Sequence, residues 1–256
     1  MSVLRSHGAR CALVVLAAGT ALAITAVTGS SADSAAVDGG AYGAEVSATA
    51  LGLLKVTVGP TPEVTLPSTG SASAITQSLA TVSATGLLST GVLNVSTQGA
   101  PGGNVKSSAQ VTDVNVPTVL AASAVTASCE AASDGTLSGS TNLADAKVGG
   151  VAVAADVAPN TVIQLAGLAT VTLNEQIETG VGTADPKIVV NAVDITLLSG
   201  LSSIGSGRII IGHAECSQEG ESVSTPVGAI GGVLLTGVVG AVFTVRQLRR
   251  RGGIPA

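Results

Sequence analysis

One histidine, two cysteines and a scatter of carboxylates hold most of the side-chain chemistry open to the body of this 256-residue chain. His213 is the candidate general base, because the other histidine, His7, falls in a targeting segment described below. A Ser-His-acid hydrolase needs a serine held against such an imidazole. Serine is abundant, but no nucleophile-elbow sequence of the G-x-S-x-G type is present. Zinc binding wants a cluster of thiolates and imidazoles, so one histidine beside two oxidised cysteines is not a metal set. Asp134 and Asp145 are scattered acids without the spacing of a calcium loop, and paired carboxylates for sugar cleavage lack the aromatics of a sugar cleft. The expectation is no catalytic residue, no metal and no cofactor. Asn174, Glu175 and Gln176, and Asn191 with Asp194, stand as polar groups inside apolar strand patterns. They are expected to face solvent or satisfy a turn, the alternative being a ligand groove on that sheet face.

The elements that position these residues read as strands. From Glu45 to Thr57 the alternation puts Val46, Ala48, Ala50, Gly52, Leu54 and Val56 on one face, which is the period of a half-buried strand. Similar segments appear at 91–96, 107–116, 121–129, 147–157, 161–165, 169–176, 187–198 and 208–216, separated by signals such as Gly59-Pro60, Asp134-Gly135, Pro159-Asn160 and Asp185-Pro186. Eight to ten strands without helical periodicity predict an all-β fold, an antiparallel sandwich or barrel-like ectodomain over residues 33–222. The Ala/Ser/Thr stretch 71–88 fits strand, short helix or loop equally well. In the 208–216 strand, His213 shares a face with Ile209, Ile211 and Glu215. Cys216 lies opposite with Ile210 and Ala214, and Cys129 aligns with Val125 and Ala127, so both thiols point inward. A disulfide is the simplest reading of this pair in an oxidising compartment, with free thiols or an intermolecular bond as alternatives.

Both ends read as targeting segments. Arg5 and Arg10 precede an apolar run and then small residues, the pattern of a signal peptide over residues 1–32 cleaved after Ala32, with a cut after Ala36 as the second site; an uncleaved signal anchor is the alternative. At the other end Val227 to Val245 carries no charge and is long enough to span a bilayer as a helix. Arg246, Arg249, Arg250 and Arg251 follow and fix a cytoplasmic tail over residues 246–256, which leaves the body extracellular. The same pattern also serves as a sorting signal removed by a transpeptidase. Gly228, Gly232 and Gly240 form a small-residue stripe on which two such helices can pack into a homo-oligomer. Leu66-Pro67-Ser68-Thr69-Gly70 resembles a sortase signal, but more than 150 residues separate it from the C-terminal apolar run, so it is expected to be a turn.

Composition excludes further classes. The chain has no Trp, one Tyr (Tyr42) and one Phe (Phe243), so an aromatic platform for stacking nucleobases is absent. All sixteen acids lie between the two targeting segments, against Lys55, Lys106, Lys147, Lys187 and Arg208. Such an acidic body lacks the basic footprint that nucleic acid requires.

The run from Pro159-Asn160-Thr161 through Gly167 to Gln176, then Ile188 to Val193 and Ile211-Gly212-His213-Ala214-Glu215-Cys216, resembles the actinobacterial choice-of-anchor P secreted proteins. Ala50 to Leu54, Pro60-Thr61-Pro62 and Leu66 to Gly70 extend the likeness over about residues 41–216. Members often carry His where this chain has Asp194. The resemblance implies a high-GC Gram-positive source, export and a variable C-terminal anchor, and it implies no activity. Together these features predict a membrane-anchored structural or adhesive component of the cell envelope. Its partner there is an unknown envelope or surface protein. A ligand- or protein-binding surface module is the alternative, and a hydrolase using His213 the second.

Overall fold

The computed structural model describes residues 36–50, 54–198 and 206–218. The predicted signal peptide with its Ala32 cleavage, the span from Val227 to Val245 with Gly228, Gly232 and Gly240, and Arg246, Arg249, Arg250 and Arg251 lie outside the described residues. Within them the chain forms fifteen strands and no helix, rather than eight to ten strands. These are β1 (Val37–Ala50), β2 (Leu54–Thr65), β3 (Ser71–Leu79), β4 (Ser83–Ala84), β5 (Leu88–Ser89), β6 (Leu93–Gly99), β7 (Val105–Val116) and β8 (Leu120–Ala131). The remainder are β9 (Leu137–Ala144), β10 (Lys147–Val148), β11 (Val151–Ala152), β12 (Thr161–Leu165), β13 (Ala169–Thr179), β14 (Lys187–Leu197) and β15 (Gly207–Gln218).

Two antiparallel sheets pack face to face. Sheet A runs β12-β13-β14-β15-β1-β2. Sheet B is built on β3-β6-β7-β8-β9, with the short β4–β5 and β10–β11 pairs added beside the far halves of β7 and β8. Strands β1, β14 and β15 lie over β6 to β9, and Val, Ala, Leu and Ile from both inner faces fill the space between. Cys129 on β8 and Cys216 on β15 form a disulfide that joins the two sheets across this core.

The segment read as one strand from Glu45 to Thr57 is a hairpin of β1 and β2. Its ladder pairs Val46 with Val58 and Ala48 with Val56, so even-numbered residues stay on one face through the reversal and the period of two survives it. Gly59 and Pro60 lie inside β2, where two residues stand opposite the single Glu45 of β1 as a bulge, and are not a turn. Of the 147–157 segment only the β10–β11 hairpin is strand, turning at Gly149-Gly150. Residues 71–79 are strand β3, and Leu66–Gly70 is the turn before it, closed by Gly70 N–H to Pro67 C=O at 2.7 Å.

The long strands do not keep one alternation. In sheet A, Leu173 and Asn174, Val193 and Ala192, Ile211 and Gly212, and Ala44 and Gly43 are consecutive residues that are all buried, and they align across four strands. Beyond this row each strand shows sheet B the residues of opposite parity. Asn174 and Gly212 take positive φ (51° and 68°), and at Gly43 a Cβ would lie 2.5 Å from Leu93 Cδ2, so glycine is required there. Sheet B answers with consecutive outward residues, Thr112 with Asp113, Ala124 with Ser123, and Ala144 with Asp145. Asp113 and Asp145 again take positive φ. The exchange corrects the expected faces of β15: Ile209 and Ile211 join the core, and Ile210 leaves the face of Ala214 and Cys216.

Candidate functional site

The register of sheet A brings Glu175 (β13), Asn191 (β14), His213 (β15), Tyr42 (β1) and Glu63 (β2) into one row on its outer face, immediately beside the face exchange. Asp194, Ile210 and Glu45 form the next outward row, and Arg208 lies one outward row further. Between these two rows the consecutive residues turn inward, so Arg208 can reach back across them. Its guanidinium binds Asp194 Oδ2 through Nε at 2.7 Å and also through Nη2, and Nη2 lies 3.6 Å from Glu175 Oε2.

The rest of the row closes on itself. Asn191 donates Nδ2–H to Glu175 Oε2 at 2.6 Å, and its Oδ1 lies 2.6 Å from His213 Nδ1. That geometry makes Nδ1 the protonated nitrogen, since the amide oxygen can only accept. The Tyr42 ring stacks on the imidazole with centroids 4.2 Å apart and planes 11° from parallel, and its hydroxyl donates to Glu45 Oε2 at 3.1 Å. Lys187 pairs with Glu215 at 2.9 Å, near the same row.

Asn174, Asn191 and Asp194 are only 5%, 3% and 6% exposed, so the expectation that they face solvent is corrected. Polar groups here pack sideways: Asn191 bonds Glu175 and His213 on the strands either side, and Arg208 reaches Asp194 on its neighbour, while the Tyr42 hydroxyl bonds Glu45 of its own strand. Asn174 and Gln176 instead stitch the sandwich edge: Asn174 Nδ2–H donates to Val157 C=O at 2.8 Å, and Gln176 Nε2–H to Gly139 C=O of β9 at 3.0 Å. Burial, then the positive charges of Lys187 and Arg208, push the His213 pKa down to about 4, so the ring is neutral at pH 7. Burial and then the Glu45 carboxylate raise the Tyr42 pKa above its ordinary value. The Arg208 pKa is raised mainly by its hydrogen bond to Asp194. Among the described residues no hydroxyl or thiol hydrogen-bonds to His213, and no cluster of His, Cys, Asp and Glu has metal-binding geometry.

The outer face of sheet B differs in kind. Its ladders align Thr76, Ser96, Ser108, Ser128 and Ser140 in one row across five strands. Ser78, Asn94, Gln110, Thr126 and Asn142 form a second row, and Gln98, Lys106, Glu130 and Ser138 a third. Lys106 and Glu130 neutralise each other at 3.2 Å, which leaves a face of hydroxyls and amides. Two shallow grooves of about 430 and 330 Å³ run along these rows. Ser128 and Ser140 share a hydrogen bond of 2.8 Å, and Ser78 donates to Asn94 Oδ1 at 2.7 Å. Residue-by-residue reading missed this face because its members are common polar residues. Their alternation inside 107–116 and 121–129 was the available signal, and only the register joins them into rows.

No family model, no curated protein and no solved structure matches this chain.

Proposed function

We propose that the chain is an exported surface protein, tethered through its C-terminal apolar segment, whose β-sandwich makes contacts in a bacterial envelope and performs no catalysis. The observation that carries this reading is the outer face of sheet B, where fourteen aligned side chains on five strands present hydrogen-bonding groups with no net charge. Groups of this kind pair with a polar, uncharged surface through many weak directional bonds, which is how an adhesive or structural contact gains strength without a deep pocket. The targeting signals at residues 1–32 and 227–256 and the resemblance to choice-of-anchor P proteins support the envelope location. A binding module for one defined ligand uses the same face and is the second reading. A hydrolase at His213 has less support, because Tyr42 and Asn191 hold the imidazole and, among the described residues, no hydroxyl or thiol hydrogen-bonds to it.

The test is co-sedimentation of the full chain with washed envelope fragments. Wild type is expected to pellet at least about fivefold more than a Ser108→Arg/Ser128→Arg variant, which sets two bulky charges in the central row. Equal pelleting of the two rejects this face as the contact surface.

A further inference from the structure

On the outer face of sheet B the larger of the two grooves, about 430 Å³, crosses the strands rather than following one. Its lining residues come from β3, β6, β7, β8 and β9, which are neighbours in that order. One wall is the row Ser96, Ser108, Ser128 and Ser140, and the other is Gln98, Lys106, Glu130 and Ser138. Between them the floor is the row of Ser107, Cys129 and Gly139. Ser107 and Cys129 bury their side chains in the sandwich and Gly139 has none, so backbone forms the bottom.

The walls set the dimensions of what can lie there. Neighbouring strands are ~4.8 Å apart, so polar groups recur along each wall at that interval over roughly 19 Å. On every strand the two walls stand two residues apart, about 6.7 Å. Their groups are hydroxyls and amides, with Lys106 and Glu130 paired to each other, and a hydroxyl that makes one internal bond keeps capacity for another. An extended peptide laid along the groove repeats its side chains at about 6.7 Å, out of step with the walls. Nucleic acid brings a charge at every repeat, which a neutral groove on an acidic body does not hold. A chain of β-1,4-linked pyranose sugars advances by nearly one strand spacing per sugar, and it is a flat ribbon with uncharged hydroxyls on both edges. Sheet twist turns the face about the groove by roughly 20° per strand. A glycan follows that turn at its glycosidic bonds, whereas a flat crystalline surface cannot.

We infer that this groove holds one chain of an uncharged β-1,4-linked glycan, running across the strands from β3 to β9 with its edge hydroxyls over the two walls. The inference rests on the reading of this face as the contact surface and names the chemistry it contacts. About four sugars fit the length of the groove. The one tyrosine lies on sheet A, so among the described residues no aromatic ring stacks on a sugar here. Each sugar is therefore held by hydrogen bonds alone, and affinity accumulates with chain length. Glu130 is the only acid lining the groove and is paired with Lys106, so the glycan is held and not cut.

The experiment is titration calorimetry of the full chain in detergent with β-1,4-linked N-acetylglucosamine oligomers of two to six sugars. Affinity is expected to rise at least about tenfold from two sugars to four, and by less than about twofold from five to six. Ser128→Arg is expected to weaken the four-sugar oligomer at least about tenfold, while Gln164→Arg, on the outer face of sheet A, leaves it unchanged; both keep the melting transition of wild type. An α-1,4-linked glucose hexamer, which coils, is expected not to bind. No binding of the β-linked series, equal binding of the α-linked hexamer, a plateau at two sugars, or wild-type affinity in Ser128→Arg overturns the inference. Envelope pelleting separates this failure from that of the contact face. If wild type pellets more than Ser108→Arg/Ser128→Arg but the soluble β-linked hexamer does not displace it, the contact face stands and the glycan is removed. Equal pelleting of the two proteins rejects the face itself, and the inference with it.

Discussion

On the outer face of sheet A the charged and aromatic side chains find each other. Arg208 ties Asp194 to Glu175, Asn191 links Glu175 to His213, and the imidazole lies under Tyr42. On the outer face of sheet B the side chains are mostly hydroxyls and amides, with Lys106 and Glu130 paired to each other, and most of their hydrogen-bonding groups meet solvent. The same architecture therefore carries one face closed by its own network and one left open. A closed network is where a substitution is felt in folding, because a buried partner is left without its mate. An open face is where a substitution is felt in contacts with something else, because water replaces whatever the side chain loses.

The strongest way to disturb this contrast is to cut what holds the faces together. Replacing Cys129 and Cys216 by alanine is expected to remove about 4 to 5 kcal/mol in the chain-entropy model, for a loop of 87 residues. That corresponds to a fall in Tm of roughly 10 to 20 °C, read by calorimetry against wild type with and without reductant. A change of only a few degrees would mean that the Val and Ala core holds the sheets without the bridge.

Next in size is acid. The folded His213 titrates near pH 4, below the ordinary value of 6.5. As pH falls from about 6.5 to about 4 the unfolded chain takes up a proton that the folded chain refuses, so stability is lost across this window, by about 3 kcal/mol. Lys187 and Arg208 face the ring as cations, while Glu215 and Glu175 partner those cations. Urea unfolding at pH 7 and pH 4 should show the loss in wild type and a smaller one in His213→Gln. Parallel loss in both would assign the acid sensitivity to the carboxylates instead.

The smallest expected effect sharpens the contrast from the other side. Ser128→Ala, which removes the exposed bond to Ser140, is expected to change stability by no more than about 0.5 kcal/mol in urea titration. A loss of 2 kcal/mol would show sheet B to be closed on itself as sheet A is.

How far the fold could be read from the chain depended on whether its signal was local. β12 is where periodicity put it, and the disulfide follows from two thiols on inward positions. The face exchange was invisible, since reading by alternation assumes that parity persists. Asn174, Gly212, Asp113 and Asp145 break it by taking left-handed backbone, which asparagine, aspartate and glycine tolerate but do not announce. For this reason Ile209 and Ile211 were expected beside His213 and lie in the core instead. The Tyr42–His213 stack was equally hidden, because its members are 171 residues apart and meet only after β1 and β15 have paired.

The pairing of β1 with β15 sets Val37 opposite Gln218, so the chain enters and leaves the sandwich at one point, and Cys216 lies two residues before that exit. For a body tethered through its C-terminal end this arrangement decides how load travels. With the tether proposed above, a pull on the outer face of sheet B would enter β8, cross to β15 through the Cys129–Cys216 covalent bond and leave two residues later, past Gln218. The ladders of sheet A lie off that line of force, so tension on sheet B would strain a bond that does not unzip.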